Sequence, residues 1–289
     1  MSWRDSGDHP NSPPVLSYRH KQLKSAATSF HGSRIGVLTR LAKDKKVLDV
    51  GCVSHNFHFA SGGKGKWLHQ HIVDAAAECV GTDYDESGVK EMQADGYDVV
   101  HADITGDLTP LKERGPFDVI IAGEIIEHLA APQQLLASSR ELLRPGGRLV
   151  ITTPNPYAPR RARAGALGYT WENADHVLYA FPSGIAEMAD RTGLVLKRFG
   201  SVEWPHRRSA PRNLAESIGQ WARAVRGRAR GQRSMPPRSR LSLPLPNHWL
   251  APTDVVLHAL RGRRGMLRET SVYILRRPNE LPQERRPTV

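Results

Sequence analysis

Little in this chain of 289 residues can be cross-linked, and nothing in it can be threaded through a bilayer as a helix. Its two cysteines, Cys52 and Cys79, have neither disulfide-scaffold nor zinc-ribbon spacing. Such sparing use of cysteine suits a reducing cytoplasm. No apolar run approaches the roughly 20 residues that a membrane-spanning helix needs. The opening MSWRDSGDHPNSPPVLSYRH is polar and proline-rich without an apolar signal core, so it carries no sign of export. No internal repeat is visible. Acidic residues are also scarce, 29 against 41 lysines and arginines, for a net charge of +12. Most of that excess is local. Residues 206–240 hold ten arginines against one acid, Glu216, or about three quarters of it.

What is present is a globular composition, 39% hydrophobic and 24% charged, in a chain long enough for one large core or a core with an appendage. Residues 1–16 read as a disordered leader, and 18–43 as one or two helices with Leu38 and Leu41 facing inward. From Lys46 onward, short valine- and isoleucine-rich runs alternate with amphipathic stretches. Strands are expected at 46–50, 79–83, 97–102, 117–123, 148–154, 195–204 and 268–278. Helices are expected at 66–78, 86–96, 132–145 and 181–194, the last opened by Pro182 and closed by Gly193. Nearly continuous apolar strands imply a sheet covered on both faces. The fold class is therefore α/β, with a doubly wound, mostly parallel sheet. Its expected division is a leader with N-terminal helices over 1–45 and a core over 46–204. A basic, Pro/Arg-rich insertion over 205–267, with a helix at 253–262, precedes the final strand and tail over 268–289.

Ligands of such sheets bind beyond the carboxyl ends of the strands, near the point where strand order reverses. Asp49 and Gly51 end the first strand, in VLDVGC. Asp83 ends the second, 32 residues after Gly51, where a carboxylate can accept both hydroxyls of a ribose. Asp103 follows the third strand, placed to accept from an adenine amino group. One feature is missing. A dinucleotide loop would carry glycines two and four residues after Gly51, and this chain has Val53 and His55.

The stretches VLDVGC, VGTDYD, HADI, FDVIIAGEIIEHL and LLRPGGRLVITTPNP together resemble class I S-adenosylmethionine-dependent methyltransferases, with a Rossmann-like sheet. The resemblance covers about residues 46–203 and the last strand. It implies S-adenosylmethionine as cofactor. By it, Gly51 lies under the methionine part, Asp83 holds the ribose, Asp103 with Ile104 borders the adenine, and Asp49, Tyr84 and Gly123 complete the cofactor-binding set. This cofactor has no pyrophosphate for backbone to approach, so a valine at position 53 is less damaging than in a dinucleotide site.

If a helix starts near Glu124, then Glu124, Glu127 and His128 stand at i, i+3 and i+4 on one face. Two carboxylates and an imidazole suit Mg²⁺ or another hard divalent cation, and not a thiolate-type zinc site. Alternatively, Glu124 neutralises a helix start and the other two only hydrogen-bond. Glu-x-x-Glu-His is similar to the metal motif of ubiquinone-pathway O-methyltransferases and of small-RNA 3′-end 2′-O-methyltransferases. The latter imply a further histidine after the fifth strand, here His176. His128 is either the general base toward an acceptor hydroxyl or a ligand of the cation.

The expected activity is methyl transfer to a hydroxyl of a small-molecule, sugar or lipid-linked acceptor, in the cytoplasm. The alternatives are RNA 2′-O-methylation and a non-catalytic binding protein of the same fold. Residues 153–181 follow the fifth strand and should border the acceptor, with Tyr157, Tyr169, Trp171 and Tyr179 available to stack or to pack. The arginine-rich stretch reads as a solvated surface, a contact to an anionic membrane, or a phosphate-binding RNA surface. RNA ranks last, because no interleaved aromatic motif accompanies it.

Overall fold

The computed structural model describes residues 3, 7–54, 67–158, 161, 165, 173–202 and 268–279. Residues 204–263 fall outside the described residues. So do the rest of the insertion expected over 205–267 with its helix, Tyr169, Trp171 and His55.

Helix α1 (Pro13–Ala26) starts inside the stretch read from sequence as leader. Two prolines in its first turn are tolerated, because the N–H groups they lack would have no partner inside the helix. Helix α2 (Arg34–Ala42) is capped by Ser33, whose hydroxyl accepts from the Gly36 N–H at 3.2 Å. There follow β1 (Lys46–Val50), α3 (Leu68–Ala75), β2 (Glu78–Asp83), α4 (Glu86–Ala94), β3 (Val99–His101), α5 (Thr109–Lys112) and β4 (Phe117–Gly123). After one 3₁₀ turn at Ile126–His128 come α6 (Pro132–Leu142), β5 (Leu143–Pro154), α7 (Pro182–Thr192), β6 (Val195–Val202) and β7 (Thr270–Arg276).

The seven strands order as β3-β2-β1-β4-β5-β7-β6. All neighbours are parallel except β7, which runs antiparallel to β5 and β6. The mostly parallel, doubly wound sheet expected from the valine-rich runs is therefore what forms. Its two faces bury different halves of each strand. Leu48, Val50, Ile120, Ala122, Leu149 and Ile151 pack under α6 and α7. Val47, Val119, Ile121, Val150, Val272 and Ile274 pack under α2 and α3, with Leu38 fully buried and Leu41 partly so.

Several boundaries shift for local reasons. Strand β5 begins at Leu143 instead of Arg148, because Leu143 already pairs with Phe117 and residues 144–147 arch out before Val119 meets Arg148. Strand β3 is shorter than 97–102, because the Tyr97 N–H closes the end of α4 by donating to the Met92 carbonyl at 3.0 Å. Helix α3 stops at Ala75, where Ala77 and Glu78 turn their N–H groups to the Lys45 carbonyl and start β2. The short α5 was not expected. It starts where Asp107 Oδ1 accepts from the Thr109 N–H at 2.9 Å.

Strand order reverses between β1 and β4, which places the ligand crevice beyond Val50 and Gly123. Behind it, Gly81 on β2 leaves a space that a Cβ would close, 2.7 Å from Val99 Cγ1 and 2.8 Å from both Cys52 Sγ and His69 Cε1. Gly81→Ala should destabilise the fold by about 1–3 kcal/mol through overpacking. Gly184→Ala, in the open at the start of α7, should be neutral or slightly stabilising. Urea denaturation of both variants checks the contrast.

Candidate active site

Three turns meet at the reversal point. The first follows β1. Gly51 has φ +75°, and a Cβ there would overlap the Ile125 side chain. The Gly51 and Cys52 N–H groups both donate to the Thr82 carbonyl, at 2.8 and 3.2 Å. Val53, where a dinucleotide loop has glycine, turns its side chain away from the crevice onto Gly88 of α4. The valine is therefore accommodated by a second glycine and not by the ligand space.

Asp83 closes β2 and is 8% exposed. Its Oδ2 accepts from the Val53 N–H and its Oδ1 from the Asp85 N–H, both at 3.0 Å. Burial raises its pKa above the usual carboxylate value, and those two N–H groups oppose the rise. A carboxylate oxygen can accept more than one hydrogen bond, so acceptor capacity remains toward the crevice. Tyr84 beside it is among the most exposed large side chains of the described residues, at 75%. Asp103 is exposed and holds its own turn, accepting from the Thr105 N–H and hydroxyl at 2.7 and 2.8 Å. Ile104 is buried in the core beside Leu108 and Leu111. Asp49 lies behind the turn instead of in it. It is 2% exposed, with Oδ2 2.8 Å from His69 Nδ1.

At the end of β4 the expected helix does not form. Glu124 has φ +63°, in the left-handed region, and only the single turn Ile126–His128 follows. The i, i+3, i+4 face drawn from Glu124 is thereby corrected. The Glu124 carboxylate turns to Arg34, with Oε1 3.5 Å from Nε, and leaves the group that Glu127 and His128 form. Arg34 is a buried arginine that sequence reasoning passed over. Its Nε donates to Thr152 Oγ1 at 2.9 Å, and its guanidinium covers Gly123, where a Cβ would meet Nη2 at 2.6 Å. Its spacing was a usable signal: Arg34, Val37 and Leu38 share one face of α2, and a charge on an apolar stripe calls for an explanation.

Glu127, His128 and His176 do converge, with one ligand atom from each lying within 4.8 Å of the others. The His128 and His176 rings meet edge to face at 4.8 Å. The segment that carries His176 is anchored by the Val177 N–H donating to the Glu127 carbonyl at 2.9 Å. Asp175, also unremarked in sequence, places Oδ2 3.1 Å from His128 Nδ1. Glu127 is buried, and among the described residues neither of its carboxylate oxygens has a hydrogen-bond partner. Burial, with the Glu124 charge behind it, pushes its pKa up to about 8. Burial likewise raises Glu124, against the pull of Arg34.

Beyond β5, Asn155 is buried and knits the loop that follows to the residues before β7. Its Nδ2 donates to the Arg268 carbonyl at 2.6 Å, and its Oδ1 accepts from the Tyr157 N–H at 3.0 Å. Tyr157 and Phe181 meet edge to face at 5.7 Å, and the Arg161 guanidinium stands 5.9 Å above the Tyr179 ring.

A family model described as a methyltransferase domain matches residues 18–197. The chain belongs to that family. Among curated methyltransferases, the ubiquinone biosynthesis O-methyltransferase of Caulobacter sp. (strain K31) is 27% identical over 143 residues, 48% of this chain and 50% of that protein. The one from Mesorhizobium japonicum is 28% identical over 198 residues, 63% of this chain and 67% of that protein. The chain thus spans about half the length of the first of these. A solved S-adenosylmethionine-dependent methyltransferase from Archaeoglobus fulgidus overlays with a TM-score of 0.44 at 15% identity, covering 90% of this chain and 98% of that one. N-methyltransferase NodS from Bradyrhizobium japonicum, solved with S-adenosyl-L-homocysteine, overlays with a TM-score of 0.40 at 15% identity, covering 70% and 83%.

The methyltransferase fold keeps Glu127 protonated more readily than the unfolded chain does. The stability this gives is full below the unfolded value near 4.5 and is lost as pH rises toward about 8. In EDTA, Glu127→Gln should flatten the fall in stability between pH 5 and 8. At pH 8 it should be more stable than the parent by about 1–3 kcal/mol, because the buried carboxylate begins to ionise there and the amide cannot. Urea midpoints at pH 5, 6.5 and 8 measure it.

Proposed function

We propose that the protein is an S-adenosylmethionine-dependent methyltransferase that acts on a hydroxyl of a small-molecule, sugar or lipid-linked acceptor. The observation that carries this reading is the buried Asp83 carboxylate facing the positive-φ turn at Gly51, with a carboxylate–imidazole cluster at the next strand end. The residues fit the cofactor. Asp83, with Tyr84 beside it, holds the ribose hydroxyls, the Gly51 turn lies beneath the methionine part, and Asp103 with Ile104 borders the adenine. Arg34, buried over Gly123 at the switch point, suits the methionine carboxylate. Asp49 supports the turn from behind.

S-adenosylmethionine brings an activated methyl group, so the protein's own work is to align an acceptor and take up its proton. His128 is the proton acceptor in this reading. Asp175 fixes its ring through Nδ1, the arrangement that orients a general base. The same cluster has a second use. Glu127, His128 and His176 form a donor set suited to Mg²⁺ or Mn²⁺, and the oxygens of buried Glu127, unpartnered among the described residues, favour it. Such a cation would lower the pKa of an acceptor hydroxyl and make His128 a ligand. The relatives named as ubiquinone biosynthesis O-methyltransferases support oxygen as the methylated atom.

Calorimetry with S-adenosylmethionine tests the core of the proposal, since absence of binding overturns it. Asp83→Asn should weaken binding about 10- to 100-fold, because a neutral amide loses a charge-assisted bond of roughly 1.5–3 kcal/mol. For the cation, Mn²⁺ titration followed by electron paramagnetic resonance should show one site that Glu127→Gln and His176→Ala each remove. Parent protein that leaves Mn²⁺ free eliminates the metal and assigns His128 as the base.

A further inference from the structure

We propose that His69 and Trp67 are positioning residues of the cofactor turn, bracing residues 51–53 from behind in place of the glycines that this loop lacks. The inference rests on the reading that this turn receives S-adenosylmethionine. Each strut is a single defined contact. His69 Nδ1 lies 2.8 Å from Asp49 Oδ2, two residues before the turn, and both side chains are at least 97% buried. Trp67 Nε1 donates to the Cys52 carbonyl at 3.1 Å, inside the turn. The two rings touch one another at 5.1 Å, and each touches Tyr97, at 5.7 Å from His69 and 5.1 Å from Trp67. One aromatic cluster therefore supports the strand end and the turn together.

The proton on His69 can be placed. Its Nε2 is buried with no hydrogen-bond partner among the described residues. An N–H there would be stranded without an acceptor, whereas a bare lone pair is tolerated at lower cost, so the proton belongs on Nδ1, donated to the Asp49 carboxylate. Among the described residues the imidazole thus makes one hydrogen bond, and that bond points at β1. Room for it exists only because β2 carries glycine at position 81, where a Cβ would stand 2.8 Å from His69 Cε1. The outer side of the turn is held separately, by the Val53 N–H on Asp83 and the Val53 side chain on Gly88. A glycine-poor turn has fewer conformations to lose, but it must be fixed in the right one, and these contacts do so.

Three variants separate this from general packing. His69→Phe fills the ring space without an N–H, His69→Asn keeps an amide N–H near the position of Nδ1, and Trp67→Phe removes the bond to Cys52. Two quantities are read in each: hydrogen–deuterium exchange of peptides covering residues 48–54 in the cofactor-free protein, and the Kd for S-adenosyl-L-homocysteine. His69→Phe and Trp67→Phe should exchange at least tenfold faster over 48–54, with exchange in β4 and β5 unchanged, and should bind at least tenfold more weakly. His69→Asn should restore both to within about threefold of the parent. Parental exchange and affinity in Trp67→Phe and His69→Phe overturn the proposal, as does an asparagine variant no better than phenylalanine. Should His69→Phe fail to fold, Trp67→Phe and His69→Asn decide it by the same readings. A parent that does not bind the probe, yet shows the exchange pattern, removes the functional reading and leaves the brace standing.

Discussion

Asp83 joins parts of this site that the chain delivers separately. One oxygen holds the turn after β1 through Val53, and the other holds the entrance of α4 through Asp85. A carboxylate that receives two backbone N–H bonds inside a nearly closed surface has little freedom to rotate. The turn at Gly51, the direction of α4 and the acceptor face offered to a ligand are thereby fixed in one geometry. Burial works against the charge and the two N–H groups work for it, so the group sits in an electrostatic balance that a cofactor hydroxyl can complete.

The second centre is governed by charges that cannot all be solvated. Arg34, Glu124 and Glu127 lie together at the end of β4, and the backbone at Glu124 takes a left-handed conformation that brings its carboxylate to Arg34. Among the described residues Glu127 is left buried without a donor, facing the two histidines. A residue of this type in a conformation that favours glycine is the kind of local strain that concentrates at functional sites. The side chain that relieves Glu124 comes from α2, more than 80 residues earlier in the chain.

The sheet was legible because parallel strands covered on both faces are continuous in valine and isoleucine, and these runs need no tertiary information to be seen. Strands β1 and β4 fall on the expected residues at both ends. Errors gathered where a hydrogen bond from elsewhere ends an element. Leu143 joins β5 early by pairing with Phe117, and Tyr97 is kept out of β3 by closing α4. The helix drawn from Glu124 failed for a similar reason, since spacing alone cannot show that the backbone there turns left-handed.

By itself the sequence determined the α/β class, the strand ends at Asp49, Gly51, Asp83 and Asp103, and a Glu-x-x-Glu-His stretch at the mouth of the sheet. Those follow from local hydrophobic period and from residues that are close in the chain. Tertiary structure alone decided which of them meet. It brought His176 and Asp175 to His128, took Glu124 away to Arg34, hid Asp49 under His69, and turned Val53 onto Gly88. Each of those outcomes is a contact between segments far apart in sequence, chosen by burial and charge pairing once the sheet had assembled, and no spacing rule along the chain encodes such a choice.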